Sequence, residues 1–119
     1  MNYLINNENM KINILLPYKE KFDKNKASSV SITVRNNLYH SKYLNQIKVF
    51  GQNVDNPLFK DNFVGFKYSI LSLKSKNKYL ANEMLKIITK DSDKNQLIEI
   101  HNRPYLIEEI TRRNKFPVS

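Results

Sequence analysis

The sequence predicts an α/β domain built on a Rossmann-like open parallel sheet with flanking helices. The pattern of apolar residues and the length of the chain lead to this fold class. Short apolar runs alternate along the chain with segments in which apolar residues recur every three or four positions, as in buried strands and amphipathic helices. This alternation favours parallel strands joined by right-handed crossovers. The 119 residues, 40% of them hydrophobic, suffice for one domain with its own core.

The first half of the domain predicts a strand, a loop and a helix. Residues 11–16 form an apolar run that ends at a proline, which indicates a buried strand. Residues 18–26 carry charges of both signs and predict a loop. A helix then begins near Ala27, with Ser28 or Ser29 as its N-cap. Apolar residues at every fourth position give that helix one apolar face, made of Val30, Val34 and Leu38.

The second half predicts three strands and two helices. The strands lie at residues 46–50, 63–66 and 97–101. The first of them is closed by a glycine, and a glycine also weakens the second. Helices are predicted at residues 75–89 and 104–113. The former lines one face with Leu80, Met84, Ile87 and Ile88.

Composition excludes several classes of site. The absence of cysteine excludes disulfides and thiolate metal sites and suits a reducing cytoplasm. Two histidines far apart in sequence argue against a zinc or iron site, so we predict no metal and no cofactor. Two glycines are too few for a glycine-rich phosphate loop. Residues 1–9 are polar, lack the pattern of a signal peptide and predict a disordered extension before a domain at residues 10–119.

A net charge of +9, carried by sixteen lysines and four arginines, could attract nucleic acid, an anionic membrane or phosphorylated substrates. The lysines are scattered, and the aromatic residues do not interleave with them as on a base-stacking surface. A solvated basic surface is the simpler interpretation. A small basic nucleic-acid-binding or scaffolding protein remains the alternative function.

The junction between the first strand and the first helix is one candidate binding site. Backbone N–H groups at Ala27, Ser28 and Ser29 would begin the helix and could bind an anion, aided by the helix dipole. Lys19 and the other lysines of the preceding loop could attract a phosphate. In the simpler alternative, a serine only caps the helix and the lysines face solvent.

A second candidate site lies where the last predicted strand ends. His101 closes that strand on the same face as Glu99, and Asn102 and Arg103 follow on the turn before Pro104, which begins a helix. Ligands of open α/β sheets bind at the carboxyl ends of the strands. There His101 could bind a sugar hydroxyl and Arg103 a phosphate. Alternatively, His101 is a structural residue paired with a buried Glu99.

With both junctions described, the chain resembles the N-terminal domain of a GT-B glycosyltransferase of the large retaining "group 1" family. The resemblance covers about residues 10–118. It is carried by the segments KINILLPYKE at residues 11–20, ASSVS at residues 27–31 and IEIHNRP at residues 98–104. In place of the glycine pair usual in that family, this chain has Ala27, Ser28 and Ser29.

The resemblance implies an acceptor-binding domain that faces a second domain across a catalytic cleft. His101 would be the catalytic residue, while Lys19, Asn102, Arg103 and residues 27–29 would bind substrate. The partners implied are a nucleotide-sugar donor, a glycan or lipid-linked acceptor, and a C-terminal domain or partner subunit that holds the donor. We expect residues 10–119 to be an incomplete GT-B N-terminal domain.

An incomplete domain of this kind has several expected properties. The chain alone should lack transferase activity, because half a cleft cannot position both substrates. The edge of the last strand should favour self-association. The expected location is the cytoplasm or the inner face of an anionic membrane.

Overall fold

A computed structural model describes residues 10–67, 76–91 and 95–101, which form a four-stranded parallel sheet. The strands are β1 (Lys11–Leu15), β2 (Ile47–Gln52), β3 (Phe63–Phe66) and β4 (Gln96–Ile100), and their order across the sheet is β3-β2-β1-β4. All three neighbouring pairs are parallel. The predicted α/β class and the Rossmann-like open sheet are therefore confirmed.

Helices flank the sheet: α1 (Ser29–Tyr39) joins β1 to β2, and α2 (Lys76–Lys90) precedes β4. Ser28 is the N-cap of α1, because its side-chain oxygen accepts a hydrogen bond from the backbone N–H of Ser31 at 3.2 Å. This confirms the predicted cap and decides between the two serines. A short 3₁₀ helix (Leu44–Gln46) leads into β2. No helix within the described ranges is both long and apolar enough to cross a membrane.

Two apolar clusters form the core, one on each face of the sheet. The α1 face buries alternate residues of β1 and β2 against Val34 and Leu38 of α1. The α2 face buries the intervening strand residues against Leu80, Ala81 and Met84 of α2. This alternation follows from the two-residue period of a strand, and it places successive β4 residues on opposite faces.

The predicted buried face of α2 is wrong at Ile87, which is 36% exposed. Leu80, Met84 and Ile88 are buried as predicted, and Ala81 is buried beside them. At about 100° per residue, the centre of this buried stripe lies between Met84 and Ile88. Ile87 then falls at the border of the stripe, where it reaches solvent.

Both glycines lie inside strands. The predicted end of β2 at residue 50 is too early, because Gly51 pairs with Gly65 and the strand continues to Gln52. Gly65 permits this pairing: a Cβ atom there would lie 2.7 Å from Oδ1 of Asn53. Gly65 made the prediction of β3 weaker, yet its missing side chain is what lets the loop at Asn53 pass close to that strand.

Three predictions fall outside the described residues. They are the extension at residues 1–9, the helix at residues 104–113, and the positions of Asn102 and Arg103.

Candidate functional site at the carboxyl edge of the sheet

The strand order creates a topological switch point between β1 and β4. From β1 the chain continues through α1 to β2 on one side, whereas β4, which pairs with the other side of β1, is reached only after β3 and α2. The register ends at the pair of Leu15 and Ile100, so β1 and β4 end side by side at the carboxyl edge of the sheet. Open α/β sheets bind ligands in the crevice outside such adjoining strand ends.

His101 follows β4 directly and lies at this carboxyl edge. Its Nε2 atom is 3.4 Å from Oε2 of Glu99, and the two side chains are 22% and 8% exposed, respectively. Glu99 is paired in register with Ile14, which belongs to the apolar cluster on the α1 face. Glu99 and His101 lie close together, as strand alternation predicted, although β4 ends one residue before His101. Glu99 is buried, as the structural alternative for His101 expected.

The pair is not a satisfied structural contact. Both Nε2 of His101 and Oε2 of Glu99 are enclosed, and neither has a hydrogen-bond partner in the part of the chain that the structure describes. Their separation exceeds the 2.7–3.2 Å of a protein N–H···O bond. A buried carboxylate oxygen without such a bond costs about 1–3 kcal/mol. Among the described residues, the arrangement leaves hydrogen-bonding capacity unused at the edge where open α/β sheets in general bind ligands.

Contacts with α2 fix the segment that follows β1. The backbone N–H of Tyr18 donates to Oδ1 of Asn77 at 2.8 Å. Nζ of Lys76 donates to the Tyr18 hydroxyl at 2.7 Å and lies 4.2 Å from the ring centroid. The hydrogen bond from Lys76 lowers the pKa of the Tyr18 phenol below its usual value. The first turn of α2 thus holds the loop that leaves β1.

Lys19 adopts a left-handed backbone conformation, with a φ angle of 76°. Its backbone N–H donates to Oε1 of Gln52 at 2.8 Å, which ties the loop to the end of β2. That N–H group is therefore already used within the protein. The lysine is exposed, so only its ammonium is available to a ligand, and a role in binding stays a prediction.

The start of α1 follows the same loop. The Ser28 hydroxyl donates to Oγ of the buried Ser31 at 3.1 Å and accepts from the Ser31 N–H, so its side chain is occupied by capping. Ser29 is the exposed first residue of the helix, and Ala27 is half-buried. Anion binding by residues 27–29 stays a prediction, and the simpler capping role of Ser28 is confirmed.

Two carboxylates of the same loop were not singled out from the sequence. Oε2 of Glu20 is enclosed without a hydrogen-bond partner among the described residues. Asp23 accepts hydrogen bonds from the backbone N–H groups of Asn25 at 2.8 Å and Asn56 at 3.4 Å. The bond from Asn25 is the main reason that the pKa of Asp23 is lowered. The mixed charges of residues 18–26 concealed both residues in what looked like an ordinary solvated loop.

A polar cavity of about 180 Å³ lies at the carboxyl end of β2, between this loop and residues 52–55. A larger cavity of about 340 Å³ is lined by residues at the end of α1 and the start of β2, including His40, and therefore lies at the opposite edge of the sheet. His40 is exposed, as predicted for a surface residue. In the described part of the chain, no group of three or more histidine or acidic side chains is placed to hold a metal ion.

Comparison of the chain with protein-family models, curated proteins and solved structures found no match. The class of the protein is therefore defined by its own sheet: a parallel α/β domain with a histidine–glutamate pair beside its switch point.

Proposed function

We propose that this chain forms the acceptor side of a glycosyl-transfer cleft, with His101 in contact with a sugar. The observation that carries the proposal is the His101–Glu99 pair, which lies at the carboxyl edge of the sheet beside the switch point. Among the described residues, the facing atoms of the pair have no hydrogen-bond partner. The sequence segments that resemble group 1 glycosyltransferases include both strand ends that border this crevice. Fold and motif therefore point to the same few residues.

The chemistry of these residues suits a sugar. An imidazole can donate a hydrogen bond to a hydroxyl or accept one from it, and 22% of the His101 side chain is exposed to a ligand. The donor's phosphates would find positive charge in Lys19 and the start of α1, where the helix dipole favours anions. Much of the rate enhancement in group transfer comes from positioning, which requires the second wall of the cleft.

The proposal assigns that second wall to a separate domain or partner subunit that binds the nucleotide-sugar. The glycan or lipid-linked acceptor would bind between the two walls. We propose a cytoplasmic location, at the inner face of the membrane if the acceptor is lipid-linked. The cysteine-free composition suits a reducing compartment, and the net charge of +9 suits an anionic surface.

The test measures sugar binding by the purified 119-residue chain. Saturation-transfer NMR detects the binding, with a panel of hexoses, hexosamines and short glycans as ligands. We expect transfer to at least one sugar, lost in His101→Ala and retained in His40→Ala. His40 is a matched control because it is the other histidine and is exposed at the end of α1. Should the alanine variant unfold, His101→Phe keeps a ring of similar volume but has no hydrogen-bonding atoms.

Transferase activity provides the second measurement. The chain alone is expected to turn over neither UDP- nor GDP-sugars. Sugar binding that survives both His101 variants would refute the assigned role of His101. Binding of no sugar at all, or robust turnover of a nucleotide-sugar by this chain alone, would refute the proposed division of the cleft.

A further inference from the structure

We infer that Glu99 is a positioning residue that selects which nitrogen of His101 faces the ligand. This inference rests on the proposed function, since it specifies how the same site would bind a sugar hydroxyl. Glu99 would accept a hydrogen bond from the protonated Nε2 of His101. The lone pair of Nδ1 would then be available to accept a hydrogen bond from the sugar.

The surroundings of Glu99 support this role. On the neighbouring strand its register partner is Ile14, which is 1% exposed and offers no polar group. The nearest ionisable partner that the structure gives to the Glu99 carboxylate is Nε2 of His101, at 3.4 Å. A buried carboxylate next to apolar side chains gains from a nearby hydrogen-bond donor, and the described residues place Nε2 of His101 beside it. We therefore expect the imidazole proton on Nε2.

The 3.4 Å between Nε2 of His101 and Oε2 of Glu99 is longer than a hydrogen bond and would have to shorten for the bond to form. Hydrogen bonds at functional sites are often long in the ligand-free protein and shorten when substrate binds. A sugar hydroxyl that donates to Nδ1 would increase the acidity of the Nε2–H group and strengthen its bond to Glu99. Ligand binding and the Glu99–His101 contact are therefore expected to reinforce each other.

The experiment is ¹⁵N NMR of the histidine ring nitrogens at about pH 8, where an ordinary imidazole is neutral. The chain has two histidines, so His40→Ala identifies the signals of His101. We expect one dominant tautomer at His101, protonated at Nε2. In Glu99→Gln, whose side chain has nearly the same shape, we expect a mixture of tautomers. Glu83→Gln, which makes the same change on α2, should leave His101 as in the unsubstituted chain.

Sugar affinity separates this inference from the proposed function. Glu99→Gln is expected to weaken binding about tenfold, the effect of losing one charge-assisted hydrogen bond, while Glu83→Gln has no effect. An Nδ1–H tautomer at His101, or tautomer populations that Glu99→Gln does not change, would overturn the role of Glu99. Absence of sugar binding with the Nε2–H tautomer intact would instead overturn the proposed function.

Discussion

Replacing Glu99 with methionine should make the ligand-free protein more stable. The Glu99 side chain is 8% exposed, its Oε2 atom has no hydrogen-bond partner in the described residues, and its partner in the β1–β4 register is the apolar Ile14. Methionine has a similar volume and is flexible enough to fill the same space. Because the substitution removes a buried oxygen that has no hydrogen bond among the described residues, the free energy of unfolding should rise by about 1–2 kcal/mol. For a domain of this size, that gain raises Tm by about 4–8 °C.

The assay is urea unfolding, combined with thermal unfolding followed by circular dichroism. Glu83→Met serves as a control because Glu83 lies on α2 and pairs with the exposed Lys86 at 3.3 Å. The control should change the free energy of unfolding by no more than about 0.5 kcal/mol. A loss of stability of about 1 kcal/mol or more in Glu99→Met, with the control unchanged, would show that the carboxylate is satisfied and refute the reasoning.

Two further predictions concern the loop and the cap that precede α1. The lowered pKa of Asp23 means that its charged form stabilises the fold above its ordinary pKa of 3.8, and this contribution is lost as the pH falls through the lower pKa of the folded state. The stability difference between the unsubstituted chain and Asp23→Asn, measured by urea unfolding, should therefore shrink over that acidic range; a difference independent of pH would contradict it. Ser28→Ala should cost about 1 kcal/mol of unfolding free energy through loss of the N-cap, whereas Ser29→Ala should cost less, and equal losses would argue against the assigned cap.

The sequence was informative wherever a local pattern has one physical cause. The short apolar run that ends at Pro17 predicted a buried strand, and a serine at the start of an amphipathic segment predicted a helix cap for reasons contained in the first turn. Ile87 was misplaced because its burial depends on how α2 is rotated against the sheet, which the helical period leaves open within about one residue. Gly65 was interpreted as weakening the strand because its role depends on a distant contact. It leaves room for Asn53, which comes close to it only in the folded chain.

Long-range polar contacts were beyond the reach of sequence patterns. Asn13, in the middle of an apolar strand, is buried and donates to Oε1 of Gln96 at 2.9 Å, and Nε2 of Gln96 donates to the backbone oxygen of Ile88 at 3.0 Å. The sequence separation of 83 residues hides the first bond. The candidate site shows the same limit: the pairing of Glu99 with His101 follows from strand alternation, whereas the enclosed carboxylate of Glu20 depends on the path of a loop.

His101 has two interpretations, as a structural residue and as a ligand-binding residue, and they predict different contacts with Glu99. A histidine kept only for structure would close its hydrogen bond to a buried carboxylate, because a gap leaves both partners desolvated and unpaired. The structure keeps them 3.4 Å apart, with both facing atoms enclosed, at the one edge of the sheet where the strand order reverses. An apolar residue at position 99 would suit the fold better, as Ile14 shows on the neighbouring strand. If Glu99→Met stabilises the ligand-free chain, the carboxylate lowers stability at this place, as expected of a residue kept for a ligand that completes its contact with His101.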